Sequence, residues 1–212
     1  QEAIDNACDH CKLGYIPEPW KQRVAAACAG WQRSHYGWDI DPSIIRVVPD
    51  VLEAYEIFLR ELVGAGNSVI VPTPAYMPFL SVPKLYDVDV IEIEMLQSGD
   101  AETGEAQWVF DFDAIERAFA AGCHAFVLCN PHNPIGKVLT LEEELRLSDL
   151  AAQYDVRIFN DEIHAPFVFE GKHIPFPTIS EQAALQSMTA TSASKSFNIP
   201  GTKCAQGLLT NP

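Results

Sequence analysis

Asn130-Pro131-His132-Asn133-Pro134, Asp161-Glu162-Ile163-His164 and Ser192-Ala193-Ser194-Lys195-Ser196-Phe197-Asn198 stand in this order along the chain, each behind a short apolar run. The runs are Ala125-Phe126-Val127-Leu128-Cys129, Val156-Arg157-Ile158-Phe159 and Met188-Thr189-Ala190-Thr191. Their length and composition predict strands. Each polar group then emerges at the carboxyl end of a strand, where open α/β sheets bind their ligands. Helical patterns alternate with these runs, so the expected fold is α/β: a mostly parallel sheet sandwiched by helices.

The residue types gathered at those strand ends suit one chemistry. Pyridoxal 5'-phosphate needs an amine to hold it as a Schiff base and an acid beside the pyridine nitrogen to keep it protonated as an electron sink. It also needs donors for the phenolic oxygen and the phosphate. Lys195 can be the amine, Asp161 the nitrogen partner, Asn133 the amide donor, and Ser192 and Ser194 the phosphate hydroxyls. Singly, each has a plainer reading, since a lysine is usually a solvated charge and Asn-Pro usually a turn. The ordered set carries the assignment.

At Asn-Pro-His-Asn-Pro-Ile-Gly (130 to 136), Asp-Glu-Ile-His (161 to 164) and Ser-Lys-Ser-Phe-Asn-Ile-Pro-Gly (194 to 201) the chain resembles the class I/II aminotransferase superfamily of fold type I pyridoxal phosphate enzymes. Within it, the resemblance is to the cystathionine β-lyase-like carbon–sulfur lyase subgroup. Gly37-Trp38, Val48-Pro49-Asp50-Val51-Leu52 and Pro72-Thr73-Pro74-Ala75-Tyr76 fall where the family has its upstream motifs, and the likeness covers roughly residues 13 to 212. The resemblance implies that Lys195 holds the cofactor, Asp161 pairs with its ring nitrogen, Asn133 bonds its ring oxygen and Tyr76 stacks on the ring. It also implies phosphate contacts from Lys203 and from the helix start at Val51 and Leu52. His164 favours the lyase subgroup, because ordinary aminotransferases usually carry Tyr there; a histidine satisfied by a backbone carbonyl at a strand end is the competing reading. Gly14-Tyr15 resembles the segment that reaches the phosphate of a neighbouring subunit, which implies a homodimer for the full-length protein and sets Tyr15 against the alternative of an exposed turn residue.

The implied activity is elimination of a thiol from cystathionine or a related cysteine conjugate, giving pyruvate and ammonia. Transamination is the alternative within the same chemistry, and a non-catalytic fragment that keeps only the cofactor-domain fold is the alternative outside it. Residues 1–212 read as the large, cofactor-binding domain, incomplete, with an N-terminal segment and a small C-terminal domain lying outside the sequence. Three departures from the family pattern bear on the site. Asp50 stands where many relatives have Gly, and is expected to turn outward as an N-cap so that its charge does not face a dianion. Lys203 replaces a frequent Arg and gives up the bidentate fork. Pro166 falls where lyase relatives often have Asp.

Composition bounds the rest. A chain of 212 residues, 48% hydrophobic and 20% charged, can bury one core. The net charge of −15 argues against nucleic acid and anionic membrane surfaces as partners and chiefly predicts solubility; the small amino-acid substrate is what the resemblance implies. No apolar run approaches 18 residues and no cleavable leader or lipidation box is seen, so a cytoplasmic location is expected. The six cysteines read as free thiols; Cys8-Asp9-His10-Cys11 has metal-like spacing but no second pair to complete a site.

Residues 18 to 33 carry Trp20, Val24, Ala27, Cys28 and Trp31 at helical spacing, a stripe expected to pack in the core. Asp50 should cap a helix running to about Val63, followed by a strand at 68 to 71. Val88 to Glu94 reads as a half-buried or edge strand, Gln97 to Gln107 as a surface loop, Phe112 to Ala121 as a helix, and Thr140 to Tyr154 as another whose acidic first turn is solvated. His173 reads as a surface residue, and His132 as a turn residue outside the catalytic set.

Overall fold

The computed structural model describes residues 2–9, 14–99 and 107–211. Its strands are β1 (Ile45–Val48), β2 (Ser68–Thr73), β3 (Asp89–Glu94), β4 (Leu96–Ser98), β5 (Gln107–Val109), β6 (Ala125–Cys129), β7 (Arg157–Asp161), β8 (Ser187–Thr191) and β9 (Ala205–Leu209). The α-helices are α1 (Glu2–Asp9), α2 (Glu18–Tyr36), α3 (Val51–Phe58), α4 (Pro78–Ser81), α5 (Phe112–Ala120), α6 (Leu141–Gln153) and α7 (Glu181–Gln186).

Seven strands form one sheet in the order β1-β9-β8-β7-β6-β2-β3. The run from β3 through β2, β6 and β7 to β8 is parallel; β9 alone runs the other way, antiparallel to β8 on one side and to the edge strand β1 on the other. From β2 the chain steps outward to β3; from β6 it steps the other way through β7 to β8. The order therefore reverses between β2 and β6, and in open α/β sheets such a switch point opens a crevice beyond the carboxyl ends of the strands.

The central strands are buried on both faces, which is why they read as unbroken apolar runs. On one face Val69, Val71, Val127 and Phe159 pack against Ala54, Tyr55, Phe58 and Leu59, the last just past α3. On the other, Ile70, Phe126, Leu128 and Ile158 meet Ile115 and Phe119 of α5 and Leu147 and Ala151 of α6. Burying a side chain of this size contributes roughly 1.5–3 kcal/mol, and the two-sided clamp fixes the register of the strands that carry the site. On β7 the alternation sends Phe159 into the α3-side core, and Asp161 points to that same face.

The local starts follow from capping. Asp50 accepts the Glu53 N–H at 2.9 Å ahead of α3, and Thr140 and Glu143 form a reciprocal capping box ahead of α6. The α3 helix passes into one π-turn, Leu59–Val63, before Gly64 ends it with φ of 81°. The edge strand at 88–94, the helix at 112–121 and the strand at 68–71 stand close to where the sequence puts them.

Several expectations are corrected. The face that α2 buries is Ala25, Ala29 and Gln32, against Ile45 and Leu208 of the antiparallel edge; Trp20 and Ala27 are exposed and Val24, Cys28 and Trp31 only half-buried. Small residues set that face because they let the helix approach the sheet closely. The ends of the expected loop at 97–107 pair instead as the antiparallel ribbon β4–β5, its middle lying outside the described residues. The acidic first turn of α6 is not all solvated: Glu144 is fully buried and accepts from Asn130 Nδ2 at 2.6 Å, while Glu143 pairs with Lys137 at 2.8 Å. His173 is no surface residue either. Its side chain is buried, with Nε2 3.2 Å from Glu162 Oε2. Cys28, Cys123, Cys129 and Cys204 are free thiols as expected, and the Cys8 to Cys11 reading lies outside the described residues. Among the described residues no helix is long and apolar enough to cross a membrane.

Candidate active site

A cavity of about 200 Å³ opens at the carboxyl ends of the parallel strands. Tyr76, three residues past β2, and Asn133, four past β6, line it from the two sides of the switch point. Asp161 and His164 reach it from the end of β7, and Ser192, Ser194 and Lys195 from the segment after β8. Val51 and Leu52 bring the first turn of α3, and Lys203 closes the lining from the turn ahead of β9. Of the side chains assigned a cofactor contact from sequence, only Tyr15 stands apart, fully exposed to solvent. Pro49, Ile163, Pro200 and Cys204 also line the cavity without having been singled out for it. Pro49, Ile163 and Pro200 belong to quoted motifs, so their neighbours carried a usable signal.

Asp161 is 5% exposed, and one carboxylate oxygen accepts the Ile163 N–H at 3.0 Å. Burial raises its pKa to about 7, the Ile163 bond opposes that, neighbouring Glu162 adds to it, and the Lys195 ammonium works against it. Its protonation state therefore responds to whatever enters the cavity. Lys195 makes no ion pair among the described residues, whereas Lys137 is held by Glu143 in a contact with side chains only 10% and 14% exposed. Burial, and secondarily the Lys195 charge, lower the pKa of His164, which keeps its imidazole neutral near pH 7. The ring is tilted over Phe167, 6.3 Å away. Cys129, wholly buried at the end of β6, has its pKa raised by burial and by Asp161, so it stays a thiol.

Ser192 organises the loop more than it faces the cavity. Its hydroxyl donates to the Cys204 carbonyl at 2.8 Å and accepts the Ser194 N–H at 3.0 Å, locking the turn that carries Lys195 to the start of β9. His132 Nε2 donates to the Pro74 carbonyl at 2.9 Å, tying the Asn133 loop to the turn that presents Tyr76. Burial lowers the His132 pKa, so this clamp is a neutral imidazole. Asp50 departs from expectation. It does cap α3, but its carboxylate stays on the cavity lining, where Lys203 Nζ donates to it at 2.7 Å. That pairing holds its pKa below the usual carboxylate range.

Beneath the site lies a buried polar layer. Glu162 Oε1 accepts from Asn160 Nδ2 at 2.6 Å and from the Phe176 N–H at 2.9 Å, and Asn160 also bonds Thr189 Oγ1. A second, apolar hollow of about 320 Å³ separates α2 from the Lys195 segment; Trp31, Cys28 and Phe197 border it, with the Trp31 and Phe197 rings edge-on at 6.2 Å. Burial pushes the Cys28 thiol up to about 12. With no charged side chain on its lining, this hollow offers nothing for the chemistry the smaller cavity supports.

A sheet of this order, with an amine and a buried carboxylate in one cavity at its switch point, defines an open α/β protein that binds a ligand at the carboxyl edge of its strands. Within that class the chain belongs to the aminotransferase class I and II family, whose profile matches residues 14–211. Cystathionine beta-lyase of Corynebacterium glutamicum is 36% identical over 211 residues, 100% of this chain and 54% of that protein. Cystathionine beta-lyase PatB of Bacillus subtilis is 31% identical over 202 residues, 94% of this chain and 50% of that one. The structure of cystalysin from Treponema denticola, which contains pyridoxal 5'-phosphate, superposes with a TM-score of 0.89 at 30% identity, covering 100% of this chain and 52% of that chain. The chain thus spans about half the length of the curated relatives it matches.

Proposed function

We propose that this chain is the cofactor-binding large domain of a pyridoxal 5'-phosphate-dependent carbon–sulfur lyase that releases a thiol, pyruvate and ammonia from cystathionine or a related cysteine conjugate. The observation that carries this is the donor set of the 200 Å³ cavity: an amine, Lys195, and a buried carboxylate, Asp161, share one lining with an aromatic ring and an amide. The names of the relatives support the same reading.

The residues present fit the group. Lys195 would hold it covalently, Asp161 would face the ring nitrogen, Asn133 the ring oxygen and Tyr76 the ring face. The helix start at Val51 and Leu52, with Ser194 and Lys203, would take the phosphate. When bound, the cofactor supplies an electron sink for charge developing at the substrate Cα. Asp161 is suited to holding a proton shared with a ring nitrogen, because burial brings its affinity for that proton near neutrality. Lys195 Nζ would also serve as the base that takes the substrate Cα proton. Neutral His164 can donate or accept a hydrogen bond at the substrate end without adding charge. The substrate carboxylate, on this reading, is held by residues outside this sequence, and the full-length protein is a homodimer.

Product analysis tests the activity. Incubated with cystathionine and no keto-acid acceptor, the full-length protein should release pyruvate and thiol in equal amounts. Acceptor-dependent amino transfer without thiol release would make it an aminotransferase instead.

A further inference from the structure

Asp50 and Lys203 are 153 residues apart in sequence and meet at 2.7 Å on the cavity lining. One Asp50 oxygen takes the ammonium, and the other takes the Glu53 N–H at the start of α3. A single carboxylate thereby engages both features that an incoming anion would use, a cation and a helix-start donor. Lys203 is held to this contact from a left-handed backbone, φ 49°, that residues other than glycine seldom adopt. We infer that Asp50 is a resident competitor for the phosphate end of the cofactor, so that binding proceeds by exchange of Lys203 from the Asp50 carboxylate to the phosphate. This rests on the cofactor reading above, and adds that Asp50 sets how much the phosphate contributes to affinity.

The test uses full-length apoprotein titrated with two probes, pyridoxal phosphate and pyridoxal, which lacks the phosphate. Asp50→Asn keeps an N-cap of comparable strength while removing the charge. It should tighten pyridoxal phosphate binding about tenfold and leave pyridoxal within about twofold, since freeing Lys203 from one charge-assisted hydrogen bond at a partly solvated rim is worth roughly this much. The gain should shrink as salt is raised. In a Lys203→Met background it should fall below about threefold, because no ammonium remains to be exchanged. An equal change for both probes, or the same gain with and without Lys203, would overturn the inference while leaving the cofactor reading intact. Failure of the parent protein to retain either probe on Lys195 after borohydride reduction would overturn the cofactor reading and this inference together.

Discussion

Three lysines lie close enough to the motifs to be confused, and their partners tell them apart. Lys137 is pinned to Glu143 in a nearly dry pair, Lys203 to Asp50, and Lys195 makes no ion pair among the described residues. Peptide mapping of the full-length protein after incubation with pyridoxal phosphate and borohydride should therefore find the pyridoxyl mass on Lys195, and a label on Lys137 or Lys203 would reassign the site. Asp161→Ala should slow exchange of the substrate Cα hydrogen about 100-fold or more while lowering cofactor retention far less, as expected of a group that tunes the ring. Equal exchange rates would remove that role. Glu144 offers a prediction about stability. Burial first, and then Glu162, raise its pKa from 4.5 to about 8. Between those values the folded chain keeps a proton that the unfolded chain has lost, so stability is fully present below about pH 4.5 and declines as pH rises toward 8. Asp161 acts in the same direction up to about 7. Thermal melts of Glu144→Gln against the parent should coincide near pH 4.5 and separate by several degrees, the variant higher, near pH 8; parallel curves across that range would mean that Glu144 does not titrate there.

At the level of elements, β7 couples core and site. Phe159 is fully buried among Tyr55, Phe58 and Phe79, with ring centroids 4.9, 5.5 and 6.3 Å away, and Asp161 follows two residues later on the same face. Phe159→Ala should cost about 3–5 kcal/mol in a denaturant titration. It should also loosen cofactor retention, whereas Phe119→Ala, on the opposite face of the sheet, should cost comparable stability with less effect on retention. Equal loss of cofactor in both variants would show that β7 does not transmit core packing to the site. The strands that bear the motifs were legible because each is buried on both faces and so is written as an apolar run. The antiparallel edge was less so: Ile45–Val48 is four residues long with Arg46 in it, and only its partner β9 makes it a strand. The α2 stripe misled because large apolar side chains outweigh alanines in any hydropathy pattern, while close helix–sheet contact selects the alanines. Glu144, Glu162 and His173 look solvated in sequence, since the partners that bury them come from other elements.

For the whole molecule, the motif order was enough to bring the candidate residues to one cavity, because a parallel sheet brings every strand's carboxyl end to one edge. What motif order cannot convey is the proposed second subunit. Tyr15 is exposed here, and the reading that it reaches a neighbour's phosphate requires that the full-length protein sediment as a symmetric dimer and that Tyr15→Phe weaken cofactor binding without changing the fold. A full-length monomer that retains cofactor and turnover would remove that role.

The apolar hollow beside α2 has a practical consequence. Trp31 stands on its wall with the ring of Phe197 edge-on, and Phe197 lies two residues beyond Lys195 in the segment that Ser192 locks. Indole emission depends on how tightly its surroundings are packed. Trp31 is thus a native optical gauge of that segment, and with Trp20, Trp38 and Trp108 replaced by phenylalanine, settling of the lysine loop could be followed in real time without attaching a dye.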